Sequence, residues 1–255
     1  MNFLSALAWA DLAIILAGAL LGGFITGFAG FGAGLVASGF WFLALPAPMV
    51  PPMIVIASVA GQVVSLARVR HAFAWSRALP FLVPGLLAVP VGIYALTQSS
   101  PATLRFSVGA FLIAYALFNL FGLARWSIGN KGGRTADAAI GAAGGFLGGF
   151  AGLSGPVPLI WLQLRGGSSV SQRAVYQPFN FIVLVLAGVG MLIGGQIDAQ
   201  VAVLAAACLP FTFAGAAIGS RLYTLVSEAL FKRFVLALLL LSGVSLLGQN
   251  LMAGG

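Results

Sequence analysis

Residues 22–34 read Gly22-Gly23-Phe24-Ile25-Thr26-Gly27-Phe28-Ala29-Gly30-Phe31-Gly32-Ala33-Gly34, and the phrase returns at 144–156 as Gly-Gly-Phe-Leu-Gly-Gly-Phe-Ala-Gly-Leu-Ser-Gly-Pro. Seven of the first nine positions are identical between the copies. A glycine-rich break inside an apolar segment, present in both halves of a membrane protein, points to a transporter's binding site. The plainer reading is close packing, because Gly18, Gly22, Gly23 and Gly27 have the small-xxx-small spacing that lets helices approach.

The rest of the composition supports a membrane setting. The 255 residues are 61% hydrophobic and 6% charged, against roughly 25% charged in a soluble domain. The net charge of +8 arises because acids are scarce, and the basic residues lie between apolar spans, where orientation signals sit. No nucleic-acid partner is expected. Cys208 is the one cysteine, so there is no disulfide framework and no metal-ligand cysteine pair. The first residues lack the basic region of a cleaved signal peptide, and the first apolar segment is expected to stay in the mature protein.

Apolar segments run over about 12–45, 50–67, 78–97, 103–124, 138–164, 174–195, 199–220 and 230–250. Most have the ~20 residues a helix needs to cross the hydrocarbon. Segment 12–45 is too long for one crossing and too short for two, and 138–164 carries Pro156 and Pro158, which interrupt a regular helix. Leu79-Pro80-Phe81 aligns with Leu209-Pro210-Phe211, Pro90-Val91-Gly92 with Ala217-Ile218-Gly219, and Arg105 with Lys232. The expected fold is an all-α integral membrane protein with two halves, each a glycine-broken segment plus three transmembrane helices. Residues 1–255 form one transport domain: repeat 1 about 1–124, a cytoplasmic linker 125–137, and repeat 2 about 138–255.

Charge placement selects the topology. If all eight segments cross once, the basic residues divide evenly between the two sides. If each glycine-broken segment enters and returns as a re-entrant hairpin, 68–77, 125–137, 165–173 and 221–233 share one side. That side then holds eleven of the twelve basic residues and leaves only Arg105 opposite, a strong positive-inside pattern. With three crossings per half, the halves are inverted relative to each other. Irregular backbone at membrane depth must be buried in protein or line a cavity, so both glycine motifs belong at the centre.

The candidate binding groups follow from that placement. Backbone N–H groups around Phe28, Ala29, Gly30, Phe31 and Gly32, and around Ala151, Gly152, Leu153, Ser154 and Gly155, open helix starts, whose free N–H groups and positive dipole end suit an anion. Arg173, Gln177 and Asn180 share one helix face, and Ser58, Gln62 and Ser65 repeat the spacing 115 residues earlier. Such a polar stripe faces a bundle interior more cheaply than lipid. Gln62, Gln177 and Asn180 are candidate neutral donors, or simply hydrogen-bond neighbouring helices. Arg173 either grips the anion bidentately or snorkels to the cytoplasmic interface.

Other polar residues carry less. His71 lies in a basic loop, Asp198 and Glu228 in loops, and Asp11 and Asp137 at segment ends. No carboxylate lies mid-span, so the common proton-relay or sodium-ligand signal is absent. Trp9, Trp41, Trp75, Trp126 and Trp161 sit near segment ends, as interfacial anchors do. Pro80, Pro84, Pro90 and Pro178 lie within spans, where they can kink helices.

The duplicated Gly-Phe-x-x-Gly-Phe-Ala-Gly phrase, the short loops at 68–77 and 195–200, and Gly-Ala-Ala-Ile-Gly-Ser-Arg-Leu-Tyr at 215–223 resemble the TauE/SafE sulfite exporter family over essentially the whole chain. The resemblance implies a multi-pass carrier in the bacterial inner membrane for a small sulfur-containing anion, sulfite or an organosulfonate, often an exporter. Second motifs in this family often continue Gly-Gly-Gly where this chain has Ser154-Gly155-Pro156. The implied partners are the anionic substrate and the lipid bilayer, with a homodimer left open and no cofactor. The alternatives are uptake of another small anion, a structural membrane subunit, and a membrane enzyme. The last lacks a nucleophile–base pair or metal cluster within a span.

Overall fold

The computed structural model describes residues 8–69, 73–122, 128–129, 132–222 and 228–253, without the side chains of 67–69, 228–232 and 250–253. The expectations placed on the first seven residues, Arg68, Arg70, His71, Arg125, Trp126, Lys131, Glu228 and Lys232 lie outside the described residues or side chains.

The described chain is helical from end to end. Helices α1 (Trp9–Ala29) and α2 (Ala33–Ala44) lead through a 3-10 turn (Ala47–Met49) into α3 (Val50–Val69), α4 (Trp75–Gln98) and α5 (Pro101–Leu120). The second half repeats the order with α6 (Gly133–Ala151), α7 (Pro156–Arg165), α8 (Ser169–Ile193), α9 (Ala199–Leu222) and α10 (Glu228–Ala253). Among the described residues, six helical stretches are long and apolar enough to cross a membrane: α1, the 3-10 turn with α3, α4, α5, α8 and α9. Apolar side chains such as Leu87, Ile193 and Leu241 point outward, the arrangement of a protein solvated by lipid. The helices run through Pro80, Pro84, Pro90, Pro178 and Pro210.

Both broken segments fold as antiparallel hairpins. In the first, the Trp41 indole donates to the Ile15 carbonyl at 2.9 Å, and Gly18 leaves room for that ring. Gly22 lies against Ala33 and Ala37. In the second, Arg165 donates to Asp137 at 2.9 Å and to the Gly133 carbonyl at 2.8 Å, while Gly144 lies against Pro158. Two tryptophans expected as interfacial anchors do other work. Trp41 is fully buried, and Trp161 donates to Asp137 at 2.8 Å. Trp9 and Trp75 are exposed, as anchors are. Asp137, expected at a segment end, is buried there and ion-paired.

Glycine lets the halves meet backbone to backbone. A methyl on Gly23 would overlap the Thr212 carbonyl, and one on Gly27 the Ala216 carbonyl, so α1 and α9 run parallel in close contact. The equivalent pair does the same, with Gly145 against Gly85 and Gly149 against Val89. These contacts, together with Gly219 on Phe24 and Gly92 on Phe146, relate α1 to α6 by 122 residues and α4 to α9 by 127. The Pro90-Val91-Gly92 alignment follows that register. The Leu79-Pro80-Phe81 alignment is three residues out of it.

The buried face of α3 also matches that of α8 at an offset of 122. Ser58 therefore pairs with Asn180 and Gln62 with Leu184, and the spacing match at 115 does not mark equivalent positions. Hydrogen bonds bring the chain around Arg77, Arg165 and Arg173 to one end of the bundle: Arg77 donates to Ser171 at 3.1 Å, and the Ala74 and Ile128 N–H groups bond the Ala174 and Leu164 carbonyls.

Candidate functional site

Hairpin tips need left-handed backbone, which glycine adopts without strain. Gly30 (φ 82°) and Gly32 (φ 100°) flank Phe31 at the first tip. Thr26 organises both helix ends: its carbonyl accepts from the Gly30 N–H at 2.7 Å, and its hydroxyl from the Ala33 N–H at 3.0 Å. At the second tip Gly152 (φ 73°) closes α6. Its N–H bonds the Gly148 carbonyl at 3.0 Å, and the Leu153 N–H bonds the Leu147 carbonyl at 3.1 Å. The Ser154 hydroxyl donates to Asn180 Oδ1. The N–H groups of Gly30, Gly152 and Leu153 are thus spent inside their own hairpins.

The tips meet at the centre of the molecule. A methyl added at Gly34 would come within 3.2 Å of the Gly152 carbonyl. Between them lies a gap of about 10 Å³ lined by Thr26, Phe31, Gly32, Gly34, Leu35, Ser58, Gln62, Gly152, Leu153, Ser154, Gly155, Pro156, Asn180 and Leu184. That is room for about one water. Its polar side chains, Thr26, Ser58, Gln62, Ser154 and Asn180, are at most 4% exposed, and none is charged.

Gln62 carries the strongest signal: both its amide nitrogen and oxygen are buried without a partner. A buried polar atom left unpaired costs about 1–3 kcal/mol, so both Gln62 atoms are open to whatever occupies the gap, a water or a solute. The helix starts differ as donors. On α2 the N–H groups of Gly34 and Leu35 have no partner among the described residues, whereas α7 begins with Pro156 and Pro158 and offers only Val157.

A second cavity of about 160 Å³ opens beside the first tip. Its floor is Ile25, Phe28, Ala29, Phe31, Gly32 and Leu35, and its polar wall is Tyr115, Asn119, Gln163, Ser169, Gln172, Arg173 and Tyr176. The cavity exists because the halves pack unequally. Helix α2 lies on α10, with Gly39 against Ser242, while α7 has no comparable packing on α5. The cavity separates Leu159 and Gln163 of α7 from Tyr115 and Asn119 of α5.

The structure brings Phe31, Gly32, Gln62, Gly152, Leu153, Ser154, Gly155 and Asn180 together at the central gap, with Gly30 at the bend above them. Phe28, Ala29 and Arg173 line the larger cavity. Arg173 Nη2 donates to the Phe28 carbonyl at 3.3 Å and the Tyr176 hydroxyl to the Ala29 carbonyl at 2.8 Å. Both cap the carboxyl end of α1, where a cation is favoured. Gln177 is fully buried, donates to Ser65 at 3.4 Å and packs on Gly30; like Ala151 it lines neither cavity. The sequence reading missed Thr26 and Tyr176 as site residues. Ser58 stood in the polar stripe read from the sequence, matched there to Arg173 rather than to Asn180, 122 residues on.

Two glycine-bent tips meet around the unpartnered Gln62 amide inside a helical bundle with an apolar outer surface, and this is the candidate solute site. The family profile described as "Sulfite exporter TauE/SafE" matches residues 14–246, which includes both hairpins, both cavities and most of α10. The chain belongs to the TauE/SafE sulfite exporter family. It is a multi-pass membrane transporter for sulfur-containing anions, and the members of its family are transporters rather than enzymes. No curated protein and no solved structure gives a match.

Proposed function

We propose that this TauE/SafE protein moves sulfite or a small organosulfonate across the bacterial inner membrane by alternating access to the gap between the hairpin tips, in the direction of export. The observation that carries the reading is Gln62, whose amide nitrogen and oxygen are buried and unpartnered at that gap. The open N–H groups of Gly34 and Leu35 and the amide nitrogens of Gln62 and Asn180 would donate to anion oxygens. Ser58 completes the set.

The parallel pairing of α1 with α9 and of α4 with α6 supports inverted halves, because α1 and α4 are separated by an odd number of chain reversals. The unequal packing of α7 and α2 supports one of two exchanging states, open toward the basic, cytoplasmic end. A negative interior favours anion exit by roughly 2.3 kcal/mol per charge per 100 mV. The two repeats act as one transport body.

Calorimetric titration of sulfite into the purified protein tests the site. Gln62→Leu and Asn180→Leu should each weaken binding about tenfold or more, equivalent to losing about 1.4 kcal/mol. Gln62→Leu should melt no lower than the parent, because it removes two unpartnered atoms. Wild-type affinity in both variants would reject the site. Uptake of labelled sulfite, organosulfonate, carboxylate and phosphate into proteoliposomes of known orientation then reads substrate and direction.

A further inference from the structure

The central gap is too small for a three-oxygen anion, and the larger cavity beside it is separated from it by very little. Phe31, Gly32 and Leu35 line both. We propose that Phe31 is the gate between them, hinged on Gly30 and Gly32 and held shut by Tyr176. This rests on the central gap being the anion site only for its purpose, not for its motion.

The geometry is particular to this residue. The Phe31 and Tyr176 rings meet edge to face, with centroids 5.6 Å apart, a contact that adds to simple burial. Tyr176 is itself held by its hydroxyl on the Ala29 carbonyl, so the latch is anchored on the residue next to the hinge. Both flanking glycines have φ between 82° and 100°, and no side chain stiffens either bond. The equivalent position in the second hairpin is Leu153. It is 3% exposed, its own N–H is bonded to Leu147, and it is followed by Ser154 bonded to Asn180 and then by Pro156. The first tip is bonded on either side of Phe31, at Gly30 and Ala33, but the Phe31 N–H has no partner among the described residues; at the second tip the equivalent N–H is itself bonded. A phenyl ring leaving the gap would both enlarge it and connect it to the cavity at the basic end, as passage of an anion requires.

Thiol accessibility tests the gate without any substrate. Ser58→Cys places a thiol in the gap, on a Cys208→Ala background that removes the buried native thiol. A charged, membrane-impermeant methanethiosulfonate is applied to inside-out vesicles, with Ser169→Cys, at the exposed rim, as the control for fold and reagent access. Phe31→Ala and Tyr176→Ala should each speed Ser58→Cys labelling about tenfold, reporting a larger open population. Leu153→Ala should leave the rate unchanged, and Ser169→Cys should label alike in all backgrounds. Unchanged labelling in both Phe31→Ala and Tyr176→Ala would overturn the gate, as would equal acceleration by Leu153→Ala. Because no sulfite is present, that failure leaves the anion-site reading standing. A working gate with no sulfite heat would instead sink the anion site.

Discussion

The two hairpins begin from nearly the same phrase and end as different devices. In the first, the tip bends at two glycines around an aromatic ring, and the mouth is closed by one indole on one backbone carbonyl. In the second, the hydrogen bonds extend to Leu153, the counterpart of Phe31, and to Ser154 after it, the next helix starts with proline, and the mouth is closed by an ion pair, an indole and a cation–π contact, with Arg165 5.1 Å from the Trp161 ring centre. Shared glycines make both hairpins possible; the residues that differ decide which tip moves and which stays.

The sharpest way to break the comparison is at the mouths. Asp137→Ala leaves the Arg165 guanidinium, 16% exposed, without its carboxylate. It should cost about 3 kcal/mol, as for other broken buried pairs. Trp41→Phe removes one hydrogen bond from the first mouth and should cost only about 1 kcal/mol. Thermal melts of the two variants in detergent read the difference, and equal melting points would erase the distinction.

At the tips the expected effect is smaller. Gly32→Ala forces a side chain into left-handed backbone at φ 100°, at a cost of about 1–2 kcal/mol. Gly155→Ala, at φ −75°, carries no such backbone strain. A melt in which Gly155→Ala is as damaging as Gly32→Ala would show that space, not backbone conformation, governs the tips.

The smallest effect sharpens the contrast in donors. Pro156→Ala restores an N–H at the first turn of α7 and should tighten sulfite binding about threefold, within the range of one helix-terminus interaction. Unchanged affinity would place the anion wholly at the α2 side of the gap.

Several features were legible in the residues. The glycine phrase repeats because glycines touch backbone directly, as Gly23 touches Thr212 and Gly145 touches Gly85, and such contacts admit no other side chain. The re-entrant path followed from the basic residues. Asp137 and Trp161 were not legible as a pair, because 24 residues separate groups that only the hairpin brings within 2.8 Å.

By itself, then, the sequence determined the membrane setting, the duplication, the two bends and the family. The tertiary structure decided the depth of each polar group. The spacing match of Gln62 to Gln177 is seven residues out of the register that burial reveals, and Leu79 to Leu209 is three out. Seven residues are nearly two helical turns and three nearly one, so each misalignment returns almost the same face while shifting depth by about 10 Å and 5 Å respectively. Helix periodicity hides such slips from a sequence. Only the packing of one half against the other sets Asn180 opposite Ser58, leaves Gln62 unpaired at the gap, and turns Gln177 to face Gly30.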